Sequence, residues 1–232
     1  MLGESIQYEV DNFGERMWRS SPLFTRTVSG TLDKQVVSRY VANILFLIRQ
    51  SLAHISLARA EAEQRGDARL AAFYAAKLGE EVGHDQWALD DLKALGEADT
   101  AAAAEVTDAV RDLAAASRAA ILIEPALYLG YMFFAEYLTV TLGPRWLAAL
   151  RDHCGIVPSS LTVIDRHVEL DKDHVKGDLA AMSDMVDAAL AVPMLASLRR
   201  FMICYERFCV EVVDWAGPVL IQEQTARGQA RV

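Results

Sequence analysis

Residues 119–142 read AAILIEPALYLGYMFFAEYLTVTL. The run is almost wholly apolar over a length that would cross a bilayer, so its reading decides between a membrane span and the core of a helical bundle. Glu124, Pro125 and Glu136 interrupt it. A single span with two unpaired carboxylates is costly in hydrocarbon, whereas a helix apolar on all sides suits the centre of a large bundle. The segment therefore belongs in a protein core, and Glu136 needs a reason to be there. Met132 and Phe133 lie one turn before it, Thr139 and Val140 one turn after it, and no lysine or arginine lies within a turn on that helix. An ionised carboxylate on such a face must be paired, protonated or bound to a cation. A metal is the economical answer, and a partner from another helix is the alternative.

The rest of the chain extends the helical reading. Of 232 residues, 53% are hydrophobic, enough for a sizeable core, and only 6 are proline. Punctuation predicts helices over about 4–19, 31–64, 67–95, 100–118, 125–142, 145–153, 159–182 and from Pro193 to about 215. Thr31 and Asp67 serve as N-caps, Gly96 closes the third helix, and Pro125 stands at a first helical position. Gly143-Pro144 is expected to interrupt the fifth helix before a short one, and Pro193 either kinks or begins the last. No alternating strand, linker or repeat stands out. One all-α domain of about seven helices results, with residues 217–232 a frayed tail. Arg65-Gly66-Asp67 reads as a turn.

A net charge of −9 without a lysine or arginine cluster argues against nucleic acid as a partner. Cys154, Cys204 and Cys209 form no disulfide framework or metal spacing, and read as buried thiols. The charged N-terminal stretch MLGESIQYEVDNFGERMW lacks an apolar signal core, which predicts a cytoplasmic protein.

The sequence HVELDKDH, residues 167–174, supplies what Glu136 lacks. At about 100° per residue, Asp171 lies roughly 40° from His167, and His174 roughly 20° to the other side. Val163, Ile164, Leu170 and Val175 flank this stripe, so it is expected to face the core, while Glu169, Lys172 and Asp173 fall off it. Upstream, GEEVGHDQW on the third helix places Glu81 and His84 three apart, on adjacent positions of one face. That spacing lets a carboxylate and an imidazole reach one metal, and Glu80 could substitute for Glu81. Together Glu81, His84, Glu136, His167, Asp171 and His174 make three carboxylates and three imidazoles. Six ligands exceed what one open site needs and suit two metals with a bridging carboxylate. Mixed nitrogen and oxygen ligation without thiolate favours iron or manganese on chemical grounds, while affinity alone favours zinc or copper.

These motifs resemble the heme-oxygenase-like diiron oxidases and oxygenases. That family orders its ligands as E-x-x-H or a longer gap, then a lone Glu, then H-x3-D-x2-H. This chain has Glu81 and His84, Glu136, and His167, Asp171 and His174 in that order. The resemblance extends to the helical layout across nearly the whole chain. The three-residue Glu81-to-His84 gap looks most like the branch containing the fatty-acid decarboxylase that makes terminal alkenes. Other branches fragment or desaturate amino acids, or oxidise nitrogen. The resemblance implies a single heme-oxygenase-like bundle, two iron ions per chain and O2 as cosubstrate; it does not fix the substrate, which is expected to be a small or medium carboxylate-bearing molecule, a fatty acid or an amino acid. It also makes a homodimer plausible.

Ferritin-like diiron proteins repeat E-x-x-H on a second helix, but here Tyr137, Leu138 and Thr139 follow Glu136. True haem oxygenases need an early axial histidine, and the first histidine here is His54, read as packed. His153, beside Gly155, reads as exposed. Tyr128, Met132 and Phe133 are the candidate substrate-pocket residues on the Glu136 helix. Asp171 is a ligand or an acceptor that orients a histidine, and Lys77, one turn before Glu81 on the same face, is read as a surface residue, with pairing to a carboxylate as the alternative. Two other classes compete: a cofactor-free or thiol-dependent enzyme of the same fold, with Cys154 or Cys204 as nucleophile, and a non-enzymatic metal-binding bundle.

Overall fold

The computed structural model describes residues 2–96 and 106–214. Its α-helices are α1 (Leu2–Ser20), α2 (Pro22–Val28), α3 (Lys34–Gln64), α4 (Ala68–Glu81), α5 (His84–Ala94), α6 (Asp108–Ile123), α7 (Tyr128–Cys154), α8 (Thr162–Met185) and α9 (Ala191–Asp214). One-turn 3-10 helices at Pro125–Leu127, Pro158–Ser160 and Ala188–Leu190 lead into the last three. No strand occurs among the described residues. The expected tail at 217–232, and residues 100–105 of the expected fourth helix, lie outside them.

Helix α7 is the axle. It packs on α8, α1, α2 and α9, while α3 packs on α4, α5 and α6, and α5 also reaches α8. The apolar run that opened the sequence reading divides at a corner. Helix α6 ends at Ile123, Glu124 is extended, and Pro125 starts the turn into α7. The Arg65 guanidinium donates to the carbonyls of Leu122 and Ile123 and to the Glu124 carboxylate. It thereby satisfies the free end of α6. Tyr128, Leu129, Phe133 and Phe134 on α7 are buried, as the core reading requires. Two other stretches, α3 and Ala188–Asp214, are long and apolar enough to cross a membrane by length and composition; in this fold each turns an apolar face into the core.

Several boundaries differ from expectation. Residues Pro22–Val28 form a helix of their own, begun by the proline, and α3 is capped by Asp33, whose carboxylate accepts from Gln35 N at 2.9 Å, not by Thr31. Helix α6 runs on to Ile123 from a Thr107 cap. The third expected helix is two helices, broken at Val82-Gly83. Conversely, α7 continues through Gly143-Pro144. An internal proline costs about 3 kcal/mol, but Trp146, Leu147 and Leu150 beyond it are buried, and their packing outweighs that local cost. Pro193 falls in the first turn of α9, where its missing N–H is harmless. Arg65-Gly66-Asp67 is the predicted turn, with Gly66 at φ 78°.

Candidate metal centre

Helix α8 carries His167, Asp171 and His174, and its start is held from another helix. The buried carboxylate of Asp91 on α5 accepts from Thr162 N and Val163 N, both at 2.8 Å, and from Thr162 Oγ1 at 2.7 Å. This is an N-cap supplied in trans. Asp91→Ala leaves those donors without their acceptor in a buried setting and is expected to lower unfolding free energy by about 3 kcal/mol. Denaturant titration of the metal-free chain checks this.

Glu81 ends α4 and His84 begins α5, so the predicted single helix face is not what joins them. Gly83, at φ 94°, turns the chain between them, a conformation glycine adopts without strain. The turn still leaves His84 Nδ1 3.1 Å from Glu81 Oε2. His84 stacks on Trp87, with centroids 4.3 Å apart, and meets His167 edge-on at 5.0 Å. His167 Nδ1 lies 2.5 Å from the Val163 carbonyl. A carbonyl only accepts, so Nδ1 holds the proton and Nε2 keeps a free lone pair.

Two donor groups result. Glu81, His84 and His167 bring one ligand atom each within 4.8 Å of one another, and so do Glu81, Glu136 and His174. Glu81 belongs to both. Asp171 is outside both groups, buried beside the second, with Oδ1 3.3 Å from His174 Nδ1. Glu80, the geometric alternative to Glu81, is half exposed, with Oε2 3.5 Å from His174 Nε2.

Lys77 and Asp178 are the residues misjudged or missed. Lys77 is not on the surface: it is 5% exposed, with Nζ 3.4 Å from Glu136 Oε1, 3.7 Å from Asp178 Oδ1 and 3.6 Å from Glu80 Oε2. This is the partner from another helix that the sequence reading left open for Glu136. Asp178 is 0% exposed. The signal for it was present, since eleven residues after His167 a helix returns to within about 20° of the same line.

The electrostatics follow from this enclosure. Burial drives Glu136 far above the usual carboxylate range, the charge of Asp178 adds to the rise, and Lys77 opposes it. Burial likewise raises Asp178 to about 6. Burial lowers the Lys77 ammonium, but Glu136, Asp178 and Glu80 together outweigh it and hold the group above its ordinary value. Contact with the Asp171 carboxylate raises His174. Glu136 Oε2, Asp171 Oδ1, His174 Nδ1 and both Asp178 oxygens are buried without a hydrogen bond. Such groups are costly unless compensated. Clustered oxygen and imidazole donors of this kind fit hard or borderline divalent cations.

A cavity of about 180 Å³ opens beside the cluster. Glu81, Glu136, His167 and Asp171 line it together with aliphatic side chains such as Ile44, Leu47, Ile55 and Leu142, with Ser51 and Thr139, and with aromatic residues including Tyr40, Tyr131 and Tyr205. Of the three pocket candidates, Tyr128 and Met132 line it, and the Tyr128 hydroxyl is buried without a hydrogen-bond partner. Phe133 does not line it; it is buried and stacks on Tyr137 at 5.0 Å, because its place on α7 turns it elsewhere. No cysteine lines the cavity. Cys204 and Cys209 are buried, burial raises all three thiols, and none is poised as a thiolate. His54 is buried, T-stacked on Tyr128, and pushed down to about 4 by burial and then by Arg118. His153 is exposed.

An all-helical fold with a carboxylate–histidine cluster bordering a largely apolar cavity defines the class. Comparison with known proteins then names the family: the chain belongs to the iron-containing redox enzymes with a heme oxygenase-like fold, whose family model matches residues 36–206. A protein of unknown function with a heme oxygenase-like fold from Shewanella denitrificans is similar at TM-score 0.81 and 18% identity, over 90% of each chain. A CADD-like protein of unknown function from Nostoc punctiforme is similar at TM-score 0.68 and 14% identity, over 90% of this chain and 97% of that one. No curated protein matches.

Proposed function

We propose that the chain is an O2-dependent oxidoreductase that holds two iron ions and oxidises a carboxylate with an elongated apolar tail, as in oxidative decarboxylation or desaturation. The observation that carries this reading is Glu81, which is shared between two donor groups and lines a largely apolar cavity. His84 and His167 would hold one ion, Glu136 and His174 the other, with Glu81 between them. Iron in such a site supplies the oxidising power for O2 chemistry. The chain's own residues do the rest. His167 is locked in one tautomer by the Val163 carbonyl, and Asp171 orients His174.

The Tyr128 hydroxyl, buried on the cavity wall near Ser51 and without a hydrogen bond among the described residues, is placed to donate to an oxygen of the substrate carboxylate. Among the described residues the wall carries no lysine or arginine, which favours a hydrocarbon tail over the charged side chain of an amino acid.

The test loads the purified chain with Fe(II) without oxygen, counts the iron, and admits O2 with straight-chain carboxylic acids of graded length or with amino acids. Two ions per chain, a transient visible absorption and consumption stimulated by the acids are expected. Two ions with no O2 consumption would leave a metal-binding bundle, and failure to bind iron would remove the reading altogether. A bulky residue in the cavity wall checks the substrate separately. Leu142→Trp is expected to shift the preferred acid to a shorter chain and leave the iron count at two.

A further inference from the structure

Lys77 is a buried ammonium among carboxylates of which only Glu136 belongs to a donor group. Its other two neighbours, Asp178 at 3.7 Å and Glu80 at 3.6 Å, belong to neither group. Three acceptors therefore surround one cation at similar range, and a divalent ion taken up by Glu81, Glu136 and His174 needs one of them. Two cations on one carboxylate repel strongly in a buried setting. The ammonium has somewhere to go without leaving the interior: Asp178 is fully buried with neither oxygen hydrogen-bonded, and Glu80 lies at the rim. A lysine side chain is a flexible stem carrying a point charge, so a small rotation suffices.

We propose that Lys77 is an exchangeable internal counter-cation: in the metal-free chain it neutralises Glu136, and a divalent ion entering the Glu81–Glu136–His174 position displaces it onto Asp178 and Glu80. The inference rests on the two-ion reading above. It makes Lys77 a positioning residue that favours the metal-free fold and competes with the second ion. It also gives Asp178 a role that its place outside both donor groups does not explain: it receives the ammonium when Glu136 is taken.

The test uses Mn(II), which binds such donors without O2 chemistry, titrated into the full metal-free chain and followed by calorimetry and by the electron paramagnetic resonance of free Mn(II). Lys77→Met alone changes the charge of the pocket and leaves buried carboxylates unpaired. The decisive variant is therefore K77M/D178N, which removes one charge of each sign. Loss of the competitor is expected to tighten the second Mn(II) step by about tenfold while the first step stays unchanged. A second step that is unaltered or weaker overturns the inference, because Lys77 would then be holding Glu136 for the metal instead of competing with it. An unmodified chain that binds fewer than two Mn(II) ions overturns the two-ion centre itself, and the counter-ion with it. Lys77→Gln gives an independent measurement. It should lower the melting temperature of the metal-free chain by more than that of the Mn(II)-loaded chain, and equal losses in both states would mark ordinary packing and overturn the proposal.

Discussion

On the two-ion reading proposed above, replacing His174 with alanine is expected to leave fewer than two iron ions bound per chain and to abolish O2 consumption. The expectation follows from where the imidazole sits. His174 Nδ1 lies 3.6 Å from Glu136 Oε1 and 3.3 Å from Asp171 Oδ1, and the residue completes the donor group that shares Glu81. Without it the second position keeps carboxylate oxygens only, and neighbouring charges repel unless a cation or a proton intervenes. The first position, with His84 and His167, keeps its three donors, so about one ion per chain should remain. O2 chemistry that requires both ions then fails even where one is bound. Glu136→Ala should act in the same direction, with a further sign: it frees the buried Lys77 ammonium from its nearest carboxylate. Iron content by elemental analysis and O2 uptake by electrode read both variants. Full iron occupancy with unchanged turnover in His174→Ala would contradict the site. A Glu136→Ala chain that merely melts at higher temperature, with its iron retained, would show Glu136 to be a tolerated core carboxylate.

The sequence displayed the helical class and the residues of the cluster because both depend on spacing along one chain. His167, Asp171 and His174 recur at helical intervals, and Glu136 stands out because its own helix offers it no partner. What was hidden depends on distance between helices. Lys77 looked like a surface residue because a lysine is almost never fully buried unless paired; only the approach of α7 and α8 buries it. Asp178 follows the stripe by one further turn, but a carboxylate at the end of an amphipathic helix reads as solvated until the opposite wall is known. The Glu81-to-His84 pair was correct as a juxtaposition and wrong as a helix face. Glycine at 83 was readable as a possible break, yet tertiary packing decided that it became one. At Gly143-Pro144 packing decided the opposite way.

That last dipeptide carries the second large effect, which reaches the metal centre through packing alone. A Cβ built on Gly143 would stand 2.5 Å from Val168 Cγ2 and 3.6 Å from Ile164 Cγ2. Helices α7 and α8 touch at this point, and Val168 is a neighbour in sequence of His167. A long unbranched side chain could swing aside, but valine on a helix has one strongly preferred χ1 rotamer, so the backbone of α8 must yield. Overpacking of this kind destabilises by about 1–3 kcal/mol. The displacement also acts on ligands, since α8 brings His167, Asp171 and His174 toward Glu81 on α4 and Glu136 on α7. Gly143→Ala is therefore expected to lower stability by about 2 kcal/mol and to reduce iron occupancy, although residue 143 offers no donor atom. Val168→Ala in the same chain removes the methyl groups that clash and should restore occupancy, while Val168→Ala alone should keep the metal and lose only packing energy. Unfolding titration and iron analysis across these three variants form a double-mutant cycle. Additive losses would show that the two helices do not meet as described, and would cut the link between this contact and the metal centre.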